Sequence, residues 1–401
     1  MIAYFSTALA LASVALGLPN IPEADNAQAV QVTWNAVTSD HVQMSNQFIN
    51  RWVALHQVSE EKRAVGHSVK AVVGSAPLRN FYNNFWTCPT KIGNSNVFMI
   101  LDTGSGDTWV RGTGCTSPDT SCKGGNSVSP TDSSLTNLNA QYYTQYGSGY
   151  VKGDIFEAPV ELAGNNARIP IGVSYEQAGI PTSSDGLFGL GFDSISRISR
   201  AVNRNANFVD ALGFPQSQNG FSFYLNNYNE GRTGQVIFGG YNGNLMSGPI
   251  HFVPLNAQTY WQFDMSQMTW SVGSQTGSMV TSGYSNVISD TGTTMVHLTS
   301  EVAAALNGAL NAVDVGSGYY SINCGLKNNG PTVKINMNGF TMDIDSSFYV
   351  LENGDGTCIS GFNGRANSLG INIWGAVITR AYYTIYDKGN SQVGFARAVH
   401  G

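Results

Sequence analysis

The chain has few charged residues, and they form no long run of one sign. Only 11% of its 401 residues are Asp, Glu, Lys or Arg, where soluble proteins usually have about a quarter. The 20 basic residues, set against 26 acidic ones, form no basic stripe and no polybasic run. We therefore expect no nucleic-acid partner and no binding to a membrane surface.

Several motifs that carry chemistry are also missing. There is no Cys-x-x-Cys pair, and the six His residues show no ligand spacing, which argues against a metal site. No Gly-x-Ser-x-Gly motif is present, which disfavours a serine hydrolase. Asn-x-Ser/Thr is absent as well, so no N-glycosylation is expected. We expect neither a metal nor an organic cofactor.

One long apolar stretch occurs, at residues 2–18. It is too short for a comfortable membrane span and predicts a signal peptide at residues 1–17, a buried helix being the alternative. Residues 18–63 are interpreted as a pro-segment with an amphipathic helix over 39–61. This segment ends in Lys62-Arg63, which we interpret as a processing site rather than an ordinary charged helix end.

From residue 64 onward the composition becomes typical of β structure. Short apolar runs alternate with clusters rich in Gly, Ser, Thr and Asn, a pattern that predicts strands and turns. Helical periodicity is confined mainly to residues 195–211 and 300–311. The sequence predicts a mostly β protein with a few short helices.

A tetrapeptide of the form Asp-Thr-Gly-Ser/Thr occurs twice, at residues 102–105 and 290–293. Apolar residues precede both copies. A hydrophobic-hydrophobic-Gly element follows each copy, and its Gly lies 87 residues after Asp102 in one case and 85 after Asp290 in the other. These near-equal intervals predict two related β-rich lobes, at 64–250 and 251–401, each presenting one carboxylate.

The tetrapeptide suits a carboxylate that must be held rigidly. Gly allows a close backbone approach, the Ser or Thr hydroxyl can donate to the carboxylate, and the intervening Thr can tie the two loops together. If the two carboxyls meet, they cannot both ionise easily, so they share a proton. One can then act as a general base on water while the other polarises a carbonyl.

Longer segments around these motifs resemble the pepsin family of aspartic endopeptidases, of the secreted fungal kind. The likeness covers roughly residues 77–399, nearly all of the predicted mature chain. The segments that carry it are 98–110, 145–149, 185–191, 287–294 and 382–384. The resemblance implies a bilobal pepsin-like fold with a central substrate cleft between the lobes.

The same resemblance assigns roles to single residues. Asp102 and Asp290 carry over as the catalytic pair, and we expect the first to be the base and the second the acid. The residues expected to orient them are Ser105, Thr293, Gly104 and Gly292. Residues 145–149 form the flap, a hairpin that closes over substrate. The expected substrate-binding and flap residues are Tyr146, Gly147, Ser148, Trp109, Leu187 and Thr294.

Three residues depart from the family pattern beside the motifs. Gly106 stands where a second Ser is usual, Asp107 adds a charge at a variable position, and Ala376 stands where many members carry Asp. The loss of that Asp predicts a lower dyad pKa, opposed by Asp107 if it is close.

Five cysteines leave more than one pairing open. Cys115 and Cys122 flank one loop, and Cys324 and Cys358 bracket a hairpin-like stretch. These two pairings match the family's positions and suit an oxidising compartment. Cys88 is left over and is expected to be a buried free thiol.

We interpret the chain as a secreted aspartic endopeptidase made as a zymogen, a vacuolar location being the alternative. Its expected partners are a protein or peptide substrate and, before maturation, its own pro-segment; the enzyme is expected to be a monomer. Two other classes remain open. One is an inactive pepsin-like binding module, acting as inhibitor or receptor, and the other is a β-rich carbohydrate-binding protein.

Overall fold

Strands predominate in the computed structural model, which describes residues 73–337 and 339–401. The predicted signal peptide, pro-segment and Lys62-Arg63 pair lie outside these residues. The prediction of a mostly β, pepsin-like fold is confirmed. Among the described residues, no helix is long and apolar enough to span a bilayer.

The strands in the described ranges are β1 (Gly74–Phe81), β2 (Phe85–Ile92), β3 (Ser95–Asp102), β4 (Trp109–Thr116), β5 (Thr136–Gln145), β6 (Tyr150–Leu162), β7 (Asn165–Ala178), β8 (Gly186–Gly189), β9 (Gly220–Tyr224), β10 (Gly234–Phe238), β11 (Met246–Pro254), β12 (Ala257–Gln258), β13 (Trp261–Asp264), β14 (Thr269–Val272), β15 (Gln275–Ser278), β16 (Asn286–Ser289), β17 (Val296–His297), β18 (Val313–Gly316), β19 (Tyr319–Ser321), β20 (Val333–Met337), β21 (Phe340–Ile344), β22 (Val350–Glu352), β23 (Cys358–Ser360), β24 (Phe362–Asn363), β25 (Asn372–Trp374), β26 (Tyr382–Asp387) and β27 (Gln392–Ala398). The α-helices are α1 (Arg197–Val202), α2 (Phe208–Ala211), α3 (Ser300–Ala309), α4 (Ser346–Tyr349), α5 (Ala366–Leu369) and α6 (Ala376–Ala381).

The longest sheet joins early and late parts of the chain. Its strands follow the order β11-β27-β26-β9-β10-β1-β2-β3-β8-β4-β7-β6-β5. The late strands β26 and β27 therefore lie between β11 and β9, and they connect the two halves through backbone hydrogen bonds. A six-stranded sheet, β12-β13-β16-β25-β17-β24, belongs to the later half together with two four-stranded sheets.

Both halves contain the same three-strand arrangement. In the first, β8 lies between β3, to which it is parallel, and β4, to which it is antiparallel. In the second, β25 lies between β16, to which it is parallel, and β17, to which it is antiparallel. Each hydrophobic-hydrophobic-Gly element is thus the central strand beside an Asp-Thr-Gly loop. The lobe boundaries at 64–250 and 251–401 stay a prediction, and β11 runs across that position.

The prediction of one helix over residues 195–211 is wrong in extent, because this region contains two short helices, α1 and α2. Helix α1 ends at Asn203, whose φ of 49° lies in the left-handed region. Helix α3 agrees more closely with its prediction and carries Glu301 in its first turn. An acidic side chain there is favoured by the helix dipole.

Two disulfides restrain loops on either half of the chain. Cys115 pairs with Cys122 and Cys324 pairs with Cys358. Cys88 is free and fully buried, and burial raises the pKa of its thiol. A thiol held in its neutral form is a poor nucleophile, so Cys88 packs as a small apolar residue.

Candidate active site

Asp102 and Asp290 lie at equivalent places, one at the end of β3 and one directly after β16. The apolar residues before them are buried, which fixes the strands, and Ile100 and Ile288 occupy matching positions two residues upstream. Both carboxyls are completely buried. Two buried acids on equivalent strand ends are what the repeated tetrapeptide predicts.

Each carboxylate receives the same pair of donors from its own loop. The Ser105 hydroxyl donates to Asp102 over 2.7 Å, and the Gly104 N–H donates to the other oxygen over 2.8 Å. The Thr293 hydroxyl and the Gly292 N–H do the same for Asp290, at 2.7 and 2.8 Å. These donors stabilise the ionised form and fix both side chains.

The middle threonines bind the two loops to each other. The Thr291 N–H donates to the Thr103 hydroxyl oxygen over 3.0 Å, and the Thr103 N–H donates to that of Thr291 over 3.1 Å. Each hydroxyl then donates across to the opposite strand: Thr103 to the Ser289 carbonyl and Thr291 to that of Leu101. This reciprocal arrangement sets how closely the acids approach.

The two carboxyls hydrogen-bond each other. The approach is so close that a Cβ added to Gly104 would lie 2.5 Å from the Asp290 carboxyl carbon, and one added to Gly292 would collide with Asp102. Burial raises the pKa of both acids, and the neighbouring Asp290 charge raises that of Asp102 further. Such a pair binds one proton over a wide range.

The hairpin of β5 and β6 carries the predicted flap residues at its turn. The Tyr146 hydroxyl accepts a hydrogen bond from the Trp109 indole over 2.7 Å, and both rings are buried. Burial first, then the charges of Asp107 and Asp102, raise the pKa of Tyr146. The phenol is thus held neutral within electrostatic reach of Asp102.

The other predicted substrate contacts surround this arrangement. Gly147 is exposed at the hairpin turn, and the Ser148 hydroxyl is buried without a hydrogen-bond partner among the described residues. The Thr294 hydroxyl donates to the Asn84 carbonyl over 2.7 Å. The sequence did not predict this contact, because nothing in its pattern brings the β1–β2 turn to the second Asp loop.

Two apolar clusters, one associated with each loop, extend from the paired acids. The first includes Leu187, Tyr146 and Ile100, and the second includes Ile288 and Ile373 beside other buried side chains. Leu187 was predicted as a pocket residue, whereas no residue of the second cluster was predicted. The repeated sequence could have pointed to the second cluster, since Ile288 is the counterpart of Ile100.

Comparison with known proteins agrees with this geometry. The family described as "Eukaryotic aspartyl protease" matches residues 71–398. The chain belongs to the eukaryotic aspartyl protease family. It is an aspartic-type endopeptidase of the pepsin family. Among the described residues, no cluster of three or more His, Cys, Asp or Glu side chains is arranged to hold a metal ion.

Individual relatives match along most of their length. Gastricsin from Homo sapiens is 30% identical over 316 residues, which are 76% of this chain and 78% of gastricsin. Cathepsin E-B from Xenopus laevis is 31% identical over 81% of this chain and 82% of its own length. A probable vacuolar protease A from Arthroderma benhamiae is 29% identical over 80% of both chains.

Proposed function

We propose that this aspartic endopeptidase is secreted and hydrolyses peptide bonds of proteins at acidic pH, with Asp102 and Asp290 as the catalytic dyad. The observation that carries the proposal is the hydrogen-bonded, fully buried pair of carboxyls, each with an equivalent set of donors.

In the proposed mechanism, the ionised carboxyl of the pair takes a proton from water as the water oxygen attacks the peptide carbonyl carbon. The protonated carboxyl gives its proton to the carbonyl oxygen, so that a neutral gem-diol forms. When the C–N bond breaks, the nitrogen gains a proton and one gem-diol hydroxyl loses one. The pair ends with a single shared proton, as it began. Because the carboxyls of Asp102 and Asp290 interact directly, they titrate as one unit.

Acidic working conditions are expected because both groups of the pair are carboxyls, and burial raises the pKa of each. The pair needs one proton to be active, and it holds that proton up to a higher pH than two ordinary carboxyls would. Activity falls once the second proton is lost at higher pH, and again when the base is protonated at low pH. A bell-shaped profile on the acidic side of neutrality is expected.

The apolar clusters support a preference for large apolar or aromatic side chains beside the cleaved bond. Leu187 and Tyr146 belong to the first cluster, and Ile288 and Ile373 belong to the second. An apolar side chain that leaves water for such a surface gains roughly 1.5–3 kcal/mol. The buried hydroxyl of Ser148, which has no hydrogen-bond partner in the described part of the chain, is suited to a backbone group of the substrate.

Secretion as a zymogen completes the proposal. The two disulfides suit an oxidising compartment, and the family match begins at residue 71, shortly after the proposed processing pair Lys62-Arg63. In this scheme residues 1–17 direct export, and residues 18–63 keep the enzyme inactive until they are removed. The mature enzyme acts as a monomer, and a vacuolar location is the alternative.

Digestion of a denatured protein at acidic pH, with and without pepstatin, tests the dyad. Asp102→Asn and Asp290→Asn are each expected to reduce kcat about 10²–10⁴-fold, the usual contribution of general acid–base catalysis. Asp132→Asn is the matched control, because the Asp132 side chain accepts hydrogen bonds from Asn94 and Ser134, which belong to neither Asp-Thr-Gly loop. Full activity in Asp102→Asn excludes the dyad.

Processing is tested separately. A chain carrying Lys62→Ala and Arg63→Ala is expected to accumulate as the larger precursor, with the normal form maturing in parallel. N-terminal sequencing of the secreted product locates the cleavage. Normal maturation of the double variant rejects Lys62-Arg63 as the processing site without affecting the dyad.

A further inference from the structure

A third buried carboxyl lies next to the active site and plays no part in the proposed chemistry. Asp107 follows Asp102 by five residues and is 3% exposed. Buried carboxylates need hydrogen-bond donors, because an unpaired buried charge is strongly unfavourable. The arrangement of those donors therefore indicates what Asp107 does.

Its donors come from two other elements. The Ser196 hydroxyl donates over 2.7 Å and the Ile198 N–H over 3.0 Å, both from the start of α1. The Thr144 hydroxyl donates over 3.1 Å from the end of β5, in the flap hairpin. One carboxylate thus joins the first Asp loop to a helix and to the base of the flap.

The contact with Thr144 is one of two parallel links. Trp109, two residues after Asp107, binds Tyr146, two residues after Thr144. Thr144 and Tyr146 are both buried while Gln145 between them is exposed, so both links lie on the buried side of the flap. The Trp109 link holds the Tyr146 ring at the hairpin turn, and the Asp107 link holds the strand that leads to it.

Helix α1 supports the same strand by a second route. Ser196 is the N-cap of α1 and accepts a hydrogen bond from the Ser199 N–H over 2.9 Å. The Arg197 guanidinium donates to the Tyr143 carbonyl on β5 over 3.2 Å. The helix therefore braces β5 directly, while Ser196 fixes the orientation of the Asp107 carboxylate.

We propose that Asp107 is a positioning residue that holds the base of the flap through Thr144, so that Tyr146 is kept in place above the dyad. The proposal rests on the proposed function, since a fixed flap matters only if substrate binds beneath it. The largest influences on the pKa of Asp102 are burial, Asp290, Ser105 and Gly104. Asp107 is therefore expected to act through flap geometry and not through the dyad's protonation.

The test removes one hydroxyl. Thr144→Val keeps the side-chain shape and breaks the link, and Thr144→Ser keeps the link. The loss of a hydrogen bond to a charged group is expected to raise KM about tenfold or more, with kcat changed less than about twofold. Amide hydrogen exchange of residues 144–150, measured without substrate, is expected to accelerate by a similar factor. Thr144→Ser is expected to restore both values.

Thr136→Val is the matched control on the same strand. It removes a hydroxyl that accepts a hydrogen bond from the Arg168 guanidinium at the first residue of β5, the end remote from the flap turn, so KM and flap exchange are expected to stay within about twofold of the wild type. Wild-type KM and flap exchange in Thr144→Val overturn the proposal, as does failure of Thr144→Ser to rescue. Because hydrogen exchange needs no turnover, it decides the role of Asp107 even if Asp102→Asn disproves the dyad.

Discussion

The loops around Asp102 and Asp290 match at four consecutive positions and then diverge. Along the matching stretch, counterparts are 188 residues apart and make the same hydrogen bonds. Beyond it, the first loop continues with Gly106, Asp107 and Trp109, where the second has Thr294, Met295 and His297. The symmetry is kept where two acids must be equivalent. It is lost where Asp107 and Trp109 of the first loop contact the β5–β6 hairpin.

The largest effects are expected where the symmetry is strictest. Gly104→Ala places a Cβ 2.5 Å from the Asp290 carboxyl carbon, and Gly292→Ala places one against Asp102. Each forces the acids apart, and a displacement of about 1 Å in a reacting group lowers the rate by about 10²-fold. We expect both variants to lose at least that much kcat.

Kinetics of the two variants at their own pH optima provide the measurement. Gly213→Ala is a useful control, since an added Cβ there meets no neighbouring atom. Its φ of 61° adds backbone strain to the control variant as well. A large loss in one variant with wild-type kcat in the other contradicts equivalent loops.

The sequence predicted the symmetric part of the site better than the asymmetric part. The repeated tetrapeptide was sufficient to locate both carboxyls, because each donor lies within three residues of its acceptor. The partners of Asp107 lie 37 and 89 residues away, and no local pattern encodes such distances. The left-handed backbone conformation of Asn203 likewise does not interrupt the apolar pattern of the sequence, so two short helices were predicted as one.

A rise in pH is expected to affect the two halves of the chain differently. Burial raises the pKa of Asp102, Asp107 and Asp185 in the first half, and that of Asp290 in the second. A carboxyl with a raised folded pKa binds more protons in the folded state, so its contribution to stability is lost as the pH rises through that pKa. The first half is expected to be the less stable one as the pH rises from about 4 towards neutrality.

Hydrogen exchange, corrected for intrinsic rates, measures this by comparing strands β3 and β8 with strands β16 and β25. Carboxyls with a lowered pKa, such as Asp119 and Asp355, act in the opposite direction. Their contribution is complete above their ordinary pKa and is lost only in stronger acid, outside this window. Earlier loss of protection in β16 and β25 at rising pH contradicts the expectation.

The threonine network gives a smaller and symmetric effect. Thr103→Val leaves the Thr291 N–H and the Ser289 carbonyl buried without partners, and Thr291→Val does the same to Thr103 and Leu101. A buried unsatisfied group costs about 1–3 kcal/mol. Urea unfolding is expected to show equal destabilisation in both variants. Serine at either position, which keeps the hydroxyl, is expected to behave like the wild type.

The smallest difference in stability is expected between variants that lack one or the other disulfide. The variant that loses more stability is expected to show the smaller change in KM. The closed loops span 7 and 34 residues, so chain entropy assigns about 2.4 kcal/mol to the Cys115–Cys122 bond and about 3.8 to Cys324–Cys358. Replacing both cysteines of a pair by alanine should therefore destabilise the second half more, by about 1.4 kcal/mol in urea unfolding.

KM is expected to respond in the reverse order. Within the Cys115–Cys122 loop, Asp119 accepts from the Gly179 N–H over 2.7 Å, and the Ser121 hydroxyl accepts from the Ile180 N–H over 3.0 Å. Ile180 packs in the same apolar cluster as Leu187 and Tyr146, so loosening this loop disturbs the proposed substrate pocket. A larger rise in KM from loss of Cys324–Cys358 would show that the Cys115–Cys122 loop does not support the pocket. A larger rise from loss of Cys115–Cys122 would show that this disulfide contributes more to substrate binding than Cys324–Cys358 does, although it contributes less to stability.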